Sequence, residues 1–460
     1  MLFNSYPFMF GFLPIVLAGY FILNRLRLTL YAKVWLTLAS IVFYGYWNVK
    51  YVPLILSSIL FNYAMGHFIH SAKANRRRSI LVFSISANIL LLGYYKYTDF
   101  FIENWNGLTG SCLPLHHLIL PLGISFFTFT QIAYLVDAYR NQAREYSLVN
   151  YTLFVTFFPH LISGPILHHK DMMPQFDKLR NKVWNWNNVR KGILLFSIGL
   201  GKKVIIADTL ASYADNGFAT AAHFVDSWVA VLSYTLQLYY DFSGYTDMAI
   251  GIALLFNIHL PQNFNAPYRA LSIRDFWRRW HITLSHFLRD YIYIPLGGNR
   301  KGFWISIRNV VITFLIGGFW HGAGWMFILW GLLHGAGQAV EKMWGRWGFT
   351  LPKWFSWLIT FVFVNITWVF FRSEHMSQAF RVLKGMSGLN GISLQSIGSL
   401  KWAILLILVL MTTILWNPSH RLLNQCKLQY SWKTAFVMAF IVMFSLLFFN
   451  RITTFLYFNF

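Results

Sequence analysis

Charge is what this sequence has least of. Only 12% of its 460 residues are Asp, Glu, Lys or Arg, about half the roughly 25% of an average soluble domain. With 57% hydrophobic residues beside so few charges, water is not the main solvent of this chain. Cysteine is nearly absent: Cys112 and Cys426 match neither a disulfide framework nor a clustered metal site, and they leave the redox compartment open. Missing motifs narrow the chemistry further. No H-E-x-x-H occurs and no G-x-S-x-G elbow adjoins the histidines discussed below, so a zincin or a serine hydrolase is poorly supported. No internal repeat of fixed period is apparent, which disfavours a solenoid or an inverted-repeat transporter. Acidic residues are also few, 15 against 38 basic ones, for a net charge of +23. Lys and Arg nevertheless fall in short loops and amphipathic stretches between apolar runs, the pattern that orients membrane helices. The expected partners are therefore membrane lipids, not nucleic acid.

What the chain has in abundance is apolar runs long enough to cross a hydrocarbon layer of roughly 30 Å as helix. They fall near residues 2–23, 33–49, 52–70, 79–101, 117–139, 226–256, 305–337, 353–371, 401–416 and 434–450. These predict an all-α, polytopic integral membrane protein of about 10–12 transmembrane helices, with further re-entrant or amphipathic helices. The first run lacks the basic start and small-residue cleavage site of a signal peptide and is expected to be retained. Alternate early loops are basic: Arg25, Arg27 and Lys33, then Lys73 and Arg76 to Arg78, then Arg140 and Arg144. That order predicts those loops in the cytoplasm, with the N-terminus and the segment Asp99 to Pro114 outside. After Tyr146 the rhythm is broken by Phe158-Pro159-His160, by Ser163-Gly164-Pro165 and by the basic segment Lys170 to Lys191. Breaks at membrane depth persist only where protein or a water-filled cavity satisfies the freed backbone, so the middle of the chain is expected to surround a cavity.

The residues able to do chemistry lie between Asn263 and Gly337. Read as a helix, Tyr268 to Tyr293 is amphipathic: Phe276, Trp277, Trp280, Leu284, Phe287, Leu288 and Tyr291 form one stripe. Arg274, Asp275, Arg278, Arg279, His286 and Arg289 lie elsewhere, as on a helix at an interface. Such a helix often only anchors to anionic headgroups. His281, however, sits at the edge of the apolar stripe, where an ionisable group needs a partner or a purpose. Val310 to Gly335 reads as a span that is apolar on every face except for Thr313, His321 and His334. Gly317, Gly318 and Gly324 share the face of His321, which leaves room for a substrate or for a close-packed helix. His334 falls on a different face and is not grouped with His321. Imidazole suits proton exchange with a hydroxyl near neutral pH. The pairs His116-His117 and His168-His169 lack convergent carboxylates in sequence and read as loop or surface residues; no metal is expected. Asp241 and Asp247 lie inside an apolar region at a spacing that does not share one helical face, and each could bind substrate or orient a histidine. Arg278, Arg279 and Arg289 could attract donor phosphates or merely bind lipid headgroups.

The stretches FFPHLISGPI (Phe157 to Ile166), YYDFSGYTDMAIG (Tyr239 to Gly251), FNAPYRALSIRDFWRRWHITLSHFLRDYIYIPLGGNR (Phe264 to Arg300) and GGFWHGAGW (Gly317 to Trp325), with the ending FLYFNF, resemble the bacterial branch of the membrane-bound O-acyltransferase family. The resemblance is greatest to membrane subunits of alginate and peptidoglycan O-acetyltransferases. It implies one domain over 1–460, with N-terminal spans at 1–145, a catalytic core at 146–337 and C-terminal spans at 338–460, arranged around a central tunnel. It maps the family's near-invariant histidine onto His321 and its second active-site position onto His281. Trp280, Trp320 and Asn299, within the matching text, join Arg278, Arg279 and Asp241 as expected substrate- or donor-binding residues. It further implies acetyl-CoA as donor substrate and no permanently bound cofactor. An extracytoplasmic polysaccharide would be the acceptor, a periplasmic protein of SGNH-hydrolase type the partner, and the bacterial cytoplasmic membrane the location. A flippase for a lipid-linked glycan, with the histidines relaying protons, is the main rival reading.

Overall fold

In the computed structural model, residues 1–392, 397–415, 418–419, 432–448 and 455–456 are described. Their regular structure is helical, with no strand among them. Cys426 and most of the FLYFNF ending lie outside the described residues. Five helical segments have the length and apolarity to span a membrane: Pro7–Arg25, Val49–Ser71, Ala74–Thr109, Phe303–His321 and Lys353–Arg372. Shorter apolar helices occupy Thr29–Gly45, Lys401–Leu415 and Ala435–Leu447. The described residues divide into two units, the first within 1–197 and 245–261, the second within 198–244 and 262–456.

The first unit begins with a π-helical turn, Pro7–Phe12, that runs into α1 (Leu13–Arg25). There follow α2 (Thr29–Gly45), α3 (Val52–Ser71), α4 (Ala74–Thr109), α5 (Ile124–Tyr139), α6 (Leu148–Thr156), α7 (Phe158–Leu161) and α8 (His169–Asp177). Its core is aromatic: Phe3, Phe8, Phe12, Phe43 and Phe158 pack with ring centroids 5.0–6.0 Å apart. Polar side chains inside the spans meet one another. Asn62 on α3 and Asn88 on α4 exchange amide hydrogen bonds, at 3.1 and 2.7 Å. Gln131 on α5 donates to the Ser58 hydroxyl at 3.0 Å. Such pairs satisfy groups that lipid could not.

The predicted break after Tyr146 is present. Phe157 leaves helical geometry, Pro159 opens the four-residue α7, and α6 and α7 are both too short to cross a bilayer. Gly164 is required here, because a Cβ would run into the Cα of His160. The reading of the pair as loop or surface residues holds for His168, half-buried in the loop before α8, and is corrected for His169. His169 is buried and bonds Glu145 at 3.1 Å, while His168 bonds Asp137 at 3.0 Å, carboxylates that only the fold brings near.

The second unit takes in the C-terminal end of α9 (Trp186–Gly201), a π-helical turn Lys202–Ala207, α10 (Asp208–Thr220) and the first part of α11 (Phe224–Leu255). It continues with α12 (Ile273–Trp277), α13 (Ile282–Leu288), α14 (Phe303–His321), α15 (Trp325–Arg346) and α16 (Lys353–Arg372). It ends with α17 (Met376–Met386), α18 (Ile397–Leu415) and α19 (Trp432–Leu447).

Two expectations are corrected here. The apolar run 305–337 is not one span: α14 ends at His321, Gly322 and Gly324 are extended, and α15 turns back against α14. The backbones of the two arms touch, since a Cβ on Gly331 would strike the Phe314 carbonyl oxygen and lie 3.0 Å from the Cα of Gly318. Gly318 therefore serves close helix packing and not substrate room, and Gly324 is outside the helix altogether. Gly331→Ala is expected to wedge the hairpin apart and cost about 1–3 kcal/mol, read as a lower Tm of the purified protein. The segment Tyr268 to Tyr293, likewise, is not one interfacial helix. It breaks into α12, α13 and a π-helical turn Arg289–Tyr293, and its apolar stripe is buried in protein except for half-buried Tyr291.

Candidate active site

The break between α12 and α13 falls on His281. Its backbone is left-handed, φ 41° and ψ 56°, a conformation that a non-glycine residue adopts only when its surroundings enforce it. The enforcement is visible. Trp280 N–H donates back to Phe276 O at 2.8 Å and closes α12. On the other side, Ile282 N–H donates to Asn263 O at 3.0 Å, and the Asn263 side-chain oxygen accepts from both the backbone and the hydroxyl of Thr283, at 3.1 and 2.7 Å. Asn263 thus starts α13 from a neighbouring strand of chain, and Asn265 N–H reaches Arg279 O at 2.9 Å to complete the clamp. Histidine and asparagine tolerate the left-handed region better than most side chains. His281→Asn should therefore fold like the wild type, whereas His281→Val should lose about 1–2 kcal/mol of stability, measurable by thermal unfolding.

His321 is placed by the hairpin. It is the last residue of α14, immediately before the Gly322 turn, so its position depends on the glycine-tight packing of α14 on α15. His281 and His321 are 0% and 2% exposed, which makes their surroundings protein and not solvent. One side chain touches both: the Trp320 ring lies 6.4 Å from His281 and 5.0 Å from His321, each edge-on. Phe242 of α11 closes over His281 at 4.8 Å. Trp330 of α15 and Phe371 of α16 close over His321 at 5.0 and 5.4 Å. Burial pushes the His281 imidazole down to about 3, against a smaller opposing effect of a backbone hydrogen bond. It is thus neutral at physiological pH, with one ring N–H to donate and one ring nitrogen to accept a hydrogen bond. In these apolar surroundings any charge that develops interacts more strongly with fixed dipoles than it would in water.

His334 has a different task, in keeping with its separation from His321 in the sequence reading. The Trp277 indole N–H can only donate, so His334 Nδ1 accepts from it at 3.1 Å. Nε2 then carries the proton and donates to Thr367 Oγ1 at 3.1 Å, and that hydroxyl donates on to Val364 O at 2.8 Å. His334 pins α12, α15 and α16 together behind Trp330, the ring that packs on His321.

The remaining expected residues are dispersed. Trp280 is buried, stacked on Phe276 at 5.6 Å and set against Trp368 at 5.1 Å, so it supports the wall beside His281. Asp241 holds Lys203 Nζ at 2.6 Å and accepts Leu456 N–H at 3.0 Å, and Lys203 also bonds Asp208 at 2.6 Å. Arg278 is exposed. Arg279 pairs with Asp275 at 2.8 Å, and Arg289 with Asp290 at 2.7 Å. Asn299 accepts from Ser306 at 2.9 Å and from Tyr293 and Lys342, in a polar cluster of its own on the loop before α14. Sequence reasoning missed Asn263, Phe242, Trp330, Phe371 and Thr367. Asn263 and Thr367 carried a signal, as polar residues beside or within apolar runs; the aromatics did not stand out in a chain with 19% aromatic residues. Among the described residues no group of three or more His, Cys, Asp or Glu converges to hold a metal ion.

The model of MBOAT, the membrane-bound O-acyltransferase family, matches residues 100–377. The chain is 52% identical over 427 residues to the peptidoglycan O-acetyltransferase of Helicobacter pylori, covering 86% of this chain and 81% of that protein. It is 41% identical over 397 residues to the probable alginate O-acetylase of Pseudomonas aeruginosa, covering 84% and 75%. A teichoic acid D-alanyltransferase of Bacillus subtilis is more distant, at 31% over 259 residues, 53% of this chain and 64% of that protein. With more than half of its length matched, the chain belongs to the membrane-bound O-acyltransferase family and is a multi-pass membrane enzyme that transfers acyl groups to oxygen.

Proposed function

We propose that this protein takes an acetyl group from cytoplasmic acetyl-CoA and passes it across the bacterial cytoplasmic membrane, for O-acetylation of an extracytoplasmic polysaccharide such as peptidoglycan or an alginate-like polymer. The observation that carries this reading is the pair of buried histidines sharing the Trp320 ring. His321 takes the proton from the acceptor hydroxyl as its oxygen attacks the thioester carbonyl. The C–S bond breaks, and the departing thiolate recovers the proton from the imidazolium, so ester and free CoA thiol leave with no net change at the histidine. Neutral His281 orients or polarises the thioester. The hydroxyl belongs to the glycan itself or to a serine of a periplasmic partner of SGNH-hydrolase type, which then acylates the glycan. The likeness to an enzyme named for peptidoglycan and to one named for alginate supports acetyl over D-alanyl. We assign 1–460 to one catalytic domain, its core at 146–337 holding both histidines. Within it, exposed Arg278 is the first candidate for donor phosphates, because Arg279 and Arg289 already hold carboxylates.

The test is acetyl-CoA turnover in membranes with and without the protein, followed by glycan O-acetylation. Consumption of acetyl-CoA that depends on this chain is the expected result. Glycan crossing the membrane with acetyl-CoA untouched would overturn the reading and favour a flippase.

A further inference from the structure

The basic segment that follows α8 in the first unit takes no part in the chemistry proposed above, and it is built the reverse of a loop that faces water. Its polar groups are turned inward. Asn181 is buried and donates to Gln175 O at 2.8 Å. Asn257, just beyond α11, donates to the carbonyls of Asn181 and Val183 at 3.0 and 2.8 Å and accepts from the Asn188 amide at 2.9 Å. Three apolar side chains of the same segment are turned outward: Leu179 is 79%, Val183 63% and Trp186 67% exposed. Lys178, Arg180 and Lys182 alternate with them, and Lys191 follows on α9. No acidic residue occurs from 178 to 207, and Asp177, immediately before, is held by Lys33 at 2.7 Å. Burial lowers the His259 imidazole, and Lys191, Arg180 and Lys178 lower it further, so these three cations share one small region of the surface.

The depth of this segment follows from one contact. The Trp184 ring packs edge-on against Phe21 at 4.9 Å, and Phe21 lies one turn before Arg25, where the span Pro7–Arg25 ends. The segment therefore sits level with the lipid headgroups at that end of the span. Exposed Arg25 and Arg27 extend its positive face, and the alternation of basic loops assigns that face to the cytoplasm. Exposed apolar side chains interleaved with cations, at headgroup depth, have the chemistry of a surface that lies in the interface plane. A soluble anion would match the cations but leave Leu179, Val183 and Trp186 in water, and a zwitterionic leaflet would cover those three but leave the positive charge unmatched. We infer that residues 178–191 form a foot in the headgroup layer of the cytoplasmic leaflet that recruits anionic phospholipids. Leu179, Val183 and Trp186 dip toward the acyl chains, and Lys178, Arg180 and Lys191 meet the phosphates.

The experiment puts a bimane label at residue 183 of the full-length protein, through Val183→Cys in a Cys112→Ser/Cys426→Ser background. A control protein carries the label through Leu90→Cys, on the 71% exposed side chain in the middle of α4. Each is placed in phosphatidylcholine nanodiscs with rising fractions of acyl-brominated phosphatidylglycerol or acyl-brominated phosphatidylcholine, which quench the label on contact. At 183, half-quenching is expected at about fivefold less brominated phosphatidylglycerol than phosphatidylcholine, the factor that one basic residue contributes near an anionic headgroup. At 90 the two lipids should quench alike. Lys178→Gln/Arg180→Gln/Lys191→Gln should remove the preference at 183, as should 1 M salt, where charges are screened within about 3 Å; Lys178→Arg/Lys191→Arg should keep it. Monodispersity and Tm separate lost binding from lost folding, and if the triple variant misfolds, the salt titration decides. Quenching at 90 without quenching at 183, equal quenching at 183 by both lipids, or a preference that survives 1 M salt or the folded triple variant would overturn the proposal. A raised KM for acetyl-CoA in that variant with its lipid preference intact would overturn it too, and would reassign the cations to the donor.

Discussion

Replacing His321 by alanine is expected to lower acyl transfer by about 10²- to 10⁴-fold, the usual contribution of a positioned general base. The loss should appear in kcat, because the imidazole acts on the proton in flight and not on ground-state binding of the thioester. Folding should survive. His321 is the final residue of α14, and the contacts that hold the hairpin together are made upstream by Gly318 and Phe314 against Gly331. The check is acetyl-CoA turnover with protein levels matched by immunoblot and Tm recorded. Full activity in a folded His321→Ala protein would remove this residue from the chemistry. A parallel His281→Asn variant, which keeps the left-handed backbone, then separates the imidazole's contribution from that of the turn it occupies.

The second large effect concerns stability. Lys203 lies buried between Asp208 and Asp241, each 2.6 Å from its ammonium. Lys203→Met removes the cation and strands two buried carboxylates, a change expected to cost about 3–5 kcal/mol. The triple variant Lys203→Met/Asp208→Asn/Asp241→Asn should recover most of that loss, because no buried charge is left uncompensated. Thermal unfolding of the two variants in detergent checks this: a Lys203→Met protein as stable as wild type would mean that the cluster is solvated. Activity should fall along with stability. Asp241 also accepts the Leu456 N–H, and its neighbour Phe242 covers His281, so the ion cluster and the site share one turn of α11.

Much of this was legible in the residues. Span length and apolarity placed α2, α3, α11 and α16 within about four residues and found α1, α4 and α5 with looser ends, and Pro159 with Gly164 announced the break after α6. His321 stood out because ionisable groups are costly in an apolar run. What escaped has physical causes. The turn at Gly322 to Gly324 is built from small residues between two apolar arms, so the hydropathy of 305–337 runs on without a dip. The left-handed turn at His281 is imposed by Asn263, eighteen residues earlier in the chain, and an amphipathic pattern read locally continues straight through it. The pairing of Lys203 with Asp241 joins residues far apart in sequence, and a periodicity confined to one helix cannot reveal it.

The reciprocal amides of Asn62 and Asn88 constrain how the first unit can move. Each side chain completes the other, so the pair is satisfied at one axial offset of α3 on α4. A slip of one helical turn, about 5.4 Å, would part the two amides and leave each only the carbonyl of its own helix, Ser58 O or Ser84 O, that it already bonds. Piston-like sliding of these helices is therefore penalised, whereas tilting about the amide pair is not. The two asparagines thus favour rocking about their contact over sliding of α3 along α4.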